Sequence, residues 1–227
     1  RRRRDLIFLV LAGVSYAVDF GGWVCSLSLT SVAASVSLVT CTPLLLALVG
    51  WISGQERLSW TSFSSLGLAC LGIFIMGIDQ PSGVGLGEGL ALLGAAAMAA
   101  YLLCARRLRG ELSPLALTGS SALIAASILW STAYLLNQPL MIEEAAIMPL
   151  IGTTLIPQLI GHSLLTWGLQ FVQPTMVAFF TLAEPPLASL FTWIAFSERP
   201  SWEVFLGGGI VLFSVWRSQS ELAQVQM

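Results

Sequence analysis

The chain contains no lysine. All ten basic residues are arginine, and Asp, Glu, Lys and Arg together make up only 10 % of the 227 residues. A soluble domain carries about 25 % charged residues, so there is too little charge here to cover a water-facing surface. Hydrophobic residues reach 56 % and the mean hydropathy is +0.84. The composition implies an integral membrane protein. The formal net charge of −2 decides nothing, because in a membrane the distribution of charge matters more than its sum. The four cysteines, Cys25, Cys41, Cys70 and Cys104, fall inside apolar runs and show no CxxC or CxxH spacing. That pattern argues against a metal site and against a disulfide framework, and they read as small packing residues. Also missing are HExxH, an aspartate-rich motif for magnesium and diphosphate, a glycine-rich phosphate loop and GxSxG. Neither an enzyme nor a cofactor is therefore expected. A signal peptide is missing too, and the opening RRRRD has the character of a loop, so the sequence is expected to be part of a longer chain.

A bilayer core about 30 Å thick needs roughly 20 apolar residues in a helix. Eight segments qualify: 6–28, 31–53, 60–78, 84–105, 113–136, 147–170, 174–196 and 202–219. Helices are the expected spanning element, since unpaired backbone groups are costly in lipid and the runs are too long for barrel strands. Short connections with turn chemistry separate them: DQPSG at 79–83, NQP at 137–139, QP at 173–174 and RPS at 199–201. Alternate crossings place Arg1 to Arg4, Arg57, Arg106, Arg107, Arg109 and Arg217 on one side, and only Arg199 on the other. The positive-inside rule makes the arginine-rich side the cytoplasm, with both visible chain ends there.

Residues 42–60, TPLLLALVGWISGQERLSW, recur as residues 184–202, EPPLASLFTWIAFSERPSW. At an offset of 142 the two windows share nine of 19 positions: Pro43/Pro185, Leu45/Leu187, Leu48/Leu190, Trp51/Trp193, Ile52/Ile194, Glu56/Glu198, Arg57/Arg199, Ser59/Ser201 and Trp60/Trp202. Shared hydrophobicity does not put Pro, Trp and Glu-Arg in register. The second window ends the fifth crossing after the first, an odd number, so the copies run in opposite directions. Inverted repeats of this kind mark secondary transporters. The second copy has three spans before it in its own unit and the first has one, so two helices are expected upstream of Arg1.

Three stretches, LAEPPLASLFTWIAFSERPSW, ASVSLVTCTPLLLALVGWISGQERLSW and AAYLLCARRLRGELSP at 99–114, resemble the EamA branch of the drug/metabolite transporter superfamily. The resemblance implies an all-α membrane bundle of ten helices in two inverted halves of five, eight of which are visible. Residues 1–80 would supply the last three helices of the first repeat, 84–220 the complete second repeat, and 221–227 a cytoplasmic tail. It implies a permease without ATP, exporting amino acids, related metabolites or toxic compounds by alternating access across a bacterial inner membrane. The partners it implies are the lipid bilayer and a small-molecule solute, with protons as a coupling ion and a homodimer as open alternatives, and no nucleic acid. The departure is the absent pair of helices, the first of which helps line the family's central cavity. A membrane-embedded enzyme and a non-transporting receptor or scaffold are the competing readings.

Ionisable groups inside spans are costly, so each is a functional candidate. Asp19 shares one helix face with Tyr16 and Trp23; it either lines a cavity or hydrogen-bonds a neighbouring helix. His162 is the only histidine, and it stands at i, i+4 from Gln158 with Trp167 further along. It is either part of a solute site or an interhelical hydrogen-bonder. Glu184 precedes Pro185 where the first copy has Thr42. A proline within a helix frees the carbonyl four residues back, that of Thr181, and Glu184 is either a pathway carboxylate beside a hinge or an acid that bonds the broken backbone. Tyr101 is a further cavity candidate. Pro43 and Pro185 mark the repeat hinge, and Glu56–Arg57 and Glu198–Arg199 read as end-of-helix pairs. Gly87, Ala91, Ala95 and Ala99 form a small-residue ridge that lets a helix approach closely.

Overall fold

The structure, a computed structural model, describes residues 2–30, 32–52, 59–76, 85–138, 142–172, 174–197 and 199–225. Glu56, Arg57 and Glu198 lie outside the described residues. The described chain is helical, as its composition requires, with no strand and one isolated bridge between Arg109 and Leu112. The helices are α1 (Arg2–Leu27), α2 (Val32–Val39), α3 (Thr42–Ile52), α4 (Trp60–Met76), α5 (Leu86–Leu108), α6 (Pro114–Leu135), α7 (Glu144–Thr153), a π-helix (Thr154–Gly161), α8 (His162–Gly168), α9 (Pro174–Thr181), α10 (Glu184–Phe196) and α11 (Trp202–Val225). Four helical stretches are long and apolar enough to cross a bilayer: Arg3–Leu27, Leu86–Leu108, Pro114–Leu135 and Glu144–Gly168. The other expected crossings correspond to α2–α3, α4, α9–α10 and α11.

Three expected spans are not continuous α-helices. The segments 31–53 and 174–196 are each broken, at Thr40–Cys41 and at Leu182–Ala183. Pro43 and Pro185 therefore stand in the first turn of a new helix, where a missing N–H costs nothing, and not in mid-helix as the sequence suggested. Around each break the backbone tightens to i→i+3 bonds, Cys41 N to Leu38 O at 3.1 Å and Ala183 N to Phe180 O at 3.2 Å. The Thr42 hydroxyl donates to the Val39 carbonyl at 2.9 Å, and Thr40 donates to the Val36 carbonyl, as hydroxyls do where an apolar setting leaves carbonyls short of partners. The breaks fall at equivalent places: α9 begins and ends 142 residues after α2, and α10 and α11 begin 142 residues after α3 and α4. The third span, 147–170, contains Pro149 and Pro157 and is wound as α7, the π-helix and α8.

The chain forms two compact units, each drawing on both sequence copies: Arg1–Gly21 with Ala97–Pro174, and Gly22–Ala96 with Thr175–Met227. In the first, α1 lies so close to α6 that a Cβ on Gly13 would stand 2.5 Å from Ile124 side-chain carbons. The Arg107 guanidinium sits 5.7 Å from the Phe8 ring centre, and Arg109 donates to the Leu169 carbonyl at 3.3 Å. The start of α1, the end of α5 and the end of α8 thus meet at one end of this unit. Ser113 caps α6, accepting from Ala116 N at 3.2 Å with Pro114 in the first turn.

In the second unit α4 packs on α11. A Cβ on Gly72 would lie 2.6 Å from the Gly207 carbonyl oxygen and 2.8 Å from Val211, while one on Gly207 would meet Met76 at 2.6 Å. Moving from Gly72 to Met76 on α4 moves the contact from Val211 back to Gly207 on α11, so the helices are antiparallel. Ser65 and Ser214, the counterparts of Gly207 and Gly72 at the 142 offset, are fully buried. Ala47, Leu66, Ala69, Ile73, Phe179, Leu182, Val211 and Val215 form the surrounding core. The small ridge of α5 does the packing its sequence predicts: Ala91 and Ala95 are fully buried, a Cβ on Gly87 would reach Thr30 at 2.9 Å, and Thr42 donates to the Ala95 carbonyl at 3.3 Å.

Candidate functional site

Helix α1 carries Tyr16, Asp19 and Phe20 at i, i+3 and i+4, spacings that share one face. Tyr16 and Asp19 are both buried, at 4 % and 6 % exposure. An acid that buried inside a span is a costly placement. Tyr16 is the hub of a cluster within the first unit. Its ring stacks on Tyr101 of α5 with centres 5.1 Å apart, meets His162 edge-on at 5.2 Å and Phe20 edge-on at 5.0 Å. Its hydroxyl donates to Gln158 Oε1 at 3.1 Å. Phe20 and Tyr101 stand 6.2 and 6.4 Å from the His162 ring.

The π-helix presents Gln158 and His162 to this cluster. Pro157 cannot donate a backbone hydrogen bond, and the helix accommodates it by widening to i→i+5 pairing, a form frequent at functional sites. The His162 Nδ1 lies 3.4 Å from the Pro157 carbonyl. A carbonyl only accepts, so Nδ1 carries a proton in that contact, which leaves Nε2 as the acceptor of a neutral ring. Nε2 is buried and has no hydrogen-bond partner, and the same holds for the hydroxyl of fully buried Tyr101. The polar neighbour of Tyr101 is Thr118, whose own hydroxyl pairs with Thr166 at 3.3 Å. Buried polar atoms left unpaired cost about 1–3 kcal/mol each, so two in one aromatic cluster mark a place where a bound group would complete the pairing.

Of the residues singled out from the sequence, Tyr101, Gln158 and His162 each contact Tyr16, with Asp19 one turn along the same α1 face. Trp23 lies a further turn along α1, half-buried, in the second unit. Trp167 points away: it is 51 % exposed and packs edge-on against Phe171 at 4.8 Å. Glu184 opens α10 in the second unit with an exposed side chain. Arg199 is exposed. Phe20 and the Thr118–Thr166 pair belong to the surroundings of the site and were not singled out. The only signal for Phe20 is its i+4 spacing from Tyr16. Among the described residues no group of three or more His, Cys, Asp or Glu is placed to hold a metal ion.

Tyr16 and Gln158 are 142 residues apart, as are Phe20 and His162, the offset that relates the two sequence copies. Residues 85–217 match the EamA-like transporter family. A solved structure described as "Crystal structure of protein" superposes with a TM-score of 0.80 over 96 % of this chain and 78 % of that chain, at 16 % identity. At that identity the likeness concerns the fold. No curated protein matches the sequence.

Proposed function

The chain belongs to the EamA-like transporter family and is an integral membrane transporter of the drug/metabolite superfamily, and from that premise we propose that it moves a cationic or zwitterionic small solute with an apolar part by alternating access. The observation that carries this reading is the cluster of Tyr16, Phe20, Tyr101, Gln158 and His162, with Asp19 beside it. It combines aromatic walls, a buried acid and two unpaired polar atoms, the ingredients of a small-molecule site. It is built from helices of both sequence copies, and substrates of inverted-repeat transporters sit where the halves meet. Asp19 supplies the charge for a cationic group, the rings hold the apolar part, and Tyr101 and His162 hydrogen-bond its polar atoms. Protons are the coupling ion this reading favours, exchanged at Asp19.

The rest of the reading follows the arginine distribution and the repeat. Eight crossings of a ten-helix, five-plus-five plan are visible, the arginine-rich ends face the cytoplasm of a bacterial inner membrane, and transport runs outward. The antiparallel packing of α4 on α11, whose starts are 142 residues apart, supports the inverted arrangement. The test is a flux assay on the full-length parent in proteoliposomes with a panel of amino acids, amines, neutral metabolites and phosphorylated solutes. Saturable flux of amino-bearing solutes, competed by one another and not by phosphorylated ones, is expected. Absence of flux across the whole panel overturns the reading.

A further inference from the structure

One end of the first unit gathers more arginines (Arg3, Arg4, Arg106, Arg107 and Arg109) than acids (Asp5 and Glu111), beside exposed aromatic rings. Arg3 and Arg4 at the start of α1 and Arg107 and Arg109 at the end of α5 are exposed. Arg107 lies over Phe8, and Arg4 is one turn before Phe8 on the same face of α1, the face on which Arg107 rests. No carboxylate among the described residues forms an ion pair with these four arginines. An excess of positive charge at one end of a helix bundle is stabilised by a bound anion.

Its surroundings say which anion. The next turn of α1 carries Leu6, Ile7 and Val10, each at least half exposed, a surface suited to acyl chains. Arg109 donates to the Leu169 carbonyl, and Trp167 and Phe171 flank that residue as an exposed edge-to-face pair. Exposed Trp and Phe next to arginines that abut an apolar stretch form the pattern of a membrane interface, with rings at the level of the headgroups. A soluble anion or an acidic protein has no use for the apolar turn or the rings; a lipid uses both.

We propose that this end of the protein binds an anionic phospholipid, its phosphate between Arg4 and Arg107 with Arg3 and Arg109 alongside, and its glycerol and upper acyl region against Leu6, Ile7, Trp167 and Phe171. The site is separate from the solute cluster. It gives Trp167 a role outside the cavity, and it puts a lipid contact on α1, the helix that carries Tyr16 and Asp19.

The test uses the full chain in neutral detergent, titrated with phosphatidylglycerol, phosphatidylcholine or inorganic phosphate, with thermal unfolding as the readout. Phosphatidylglycerol is expected to raise the melting temperature at lower concentration than phosphatidylcholine, and inorganic phosphate is expected to have no comparable effect. An arginine near an anionic surface contributes about 1 kcal/mol, so Arg4→Gln and Arg107→Gln should each weaken the phosphatidylglycerol midpoint about fivefold, and the double variant on the order of 25-fold. Should the variants fail to fold, the unmodified chain gives a second measure: its preference for phosphatidylglycerol should fall as salt rises, because both arginines are exposed and screened. Equal midpoints for the two lipids, a preference that neither the substitutions nor salt reduces, or an equal response to inorganic phosphate would each overturn the proposal.

Discussion

Replacing Asp19 by asparagine separates the solute reading from a structural one, because the two predict opposite outcomes. The substitution keeps the shape of the side chain and removes only its ability to carry charge. Asp19 is 6 % exposed in a span, and an ionisable carboxyl there pays a desolvation cost that an amide largely avoids. The folded protein should therefore melt at the same temperature or higher. Solute binding should suffer. Removing one partner of a buried charged pair costs about 2–5 kcal/mol, and each 1.4 kcal/mol is tenfold, so the apparent affinity for a cationic solute should fall by at least about 30-fold. The assay is saturation flux in proteoliposomes run beside thermal unfolding in the same lipid. Flux unchanged in KM refutes the assignment of Asp19 to the solute. A lower melting temperature with intact transport shows instead that the carboxyl serves the packing of α1.

Three further substitutions probe the frame. Tyr16→Phe removes the hydroxyl bonded to Gln158 and keeps the ring contacts, so it should cost about 1 kcal/mol of stability, whereas Tyr16→Ala should cost about 3–5 kcal/mol as an aromatic truncation; equal melting temperatures for the two would contradict the hub role. Gly72→Val drives methyl groups into the Gly207 carbonyl from a starting distance of 2.6 Å, more severe than the overpacking that ordinarily costs 1–3 kcal/mol, and unfolding should show a loss of at least about 3 kcal/mol. Pro157→Ala restores an N–H where proline is about 3 kcal/mol poorer than alanine in an α-helix interior. The segment should relax toward α-winding, raising the melting temperature by an amount below that figure while flux falls; flux equal to the parent protein would remove the π-helix from the mechanism.

Much of this was legible in the sequence for reasons that can be stated residue by residue. Helical spans follow from run length and from the cost of unpaired backbone in lipid. The repeat was readable because Pro, Trp and Glu-Arg do not align by hydrophobicity alone. Tyr16, Asp19, Gln158 and His162 stood out because polar groups are rare in apolar helices. Phe20 did not, since a phenylalanine in an apolar helix carries no such signal. The breaks before Pro43 and Pro185 were half-legible: proline biases the preceding residue away from the α region, yet sequence alone does not say whether the helix bends or restarts. Trp167 was grouped with Gln158 and His162 because it lies further along the same span. Position along a span does not say which face a residue takes: nine residues at about 100° each put Trp167 on the side opposite Gln158, and it is 51 % exposed against Phe171.

The contact between Tyr16 and Gln158 has a geometric consequence. When two inverted halves trade conformations, a contact between unlike positions in the halves is exchanged for its mirror contact elsewhere. A contact between matching positions is its own image, so the exchange returns it to where it was. Tyr16–Gln158 and Phe20–His162 both have this property at the offset of 142. If the proposed alternating-access cycle operates, these contacts would be fixed points about which the surrounding helices rock, and the floor of the proposed solute site would stay still while its walls open first to one side and then to the other.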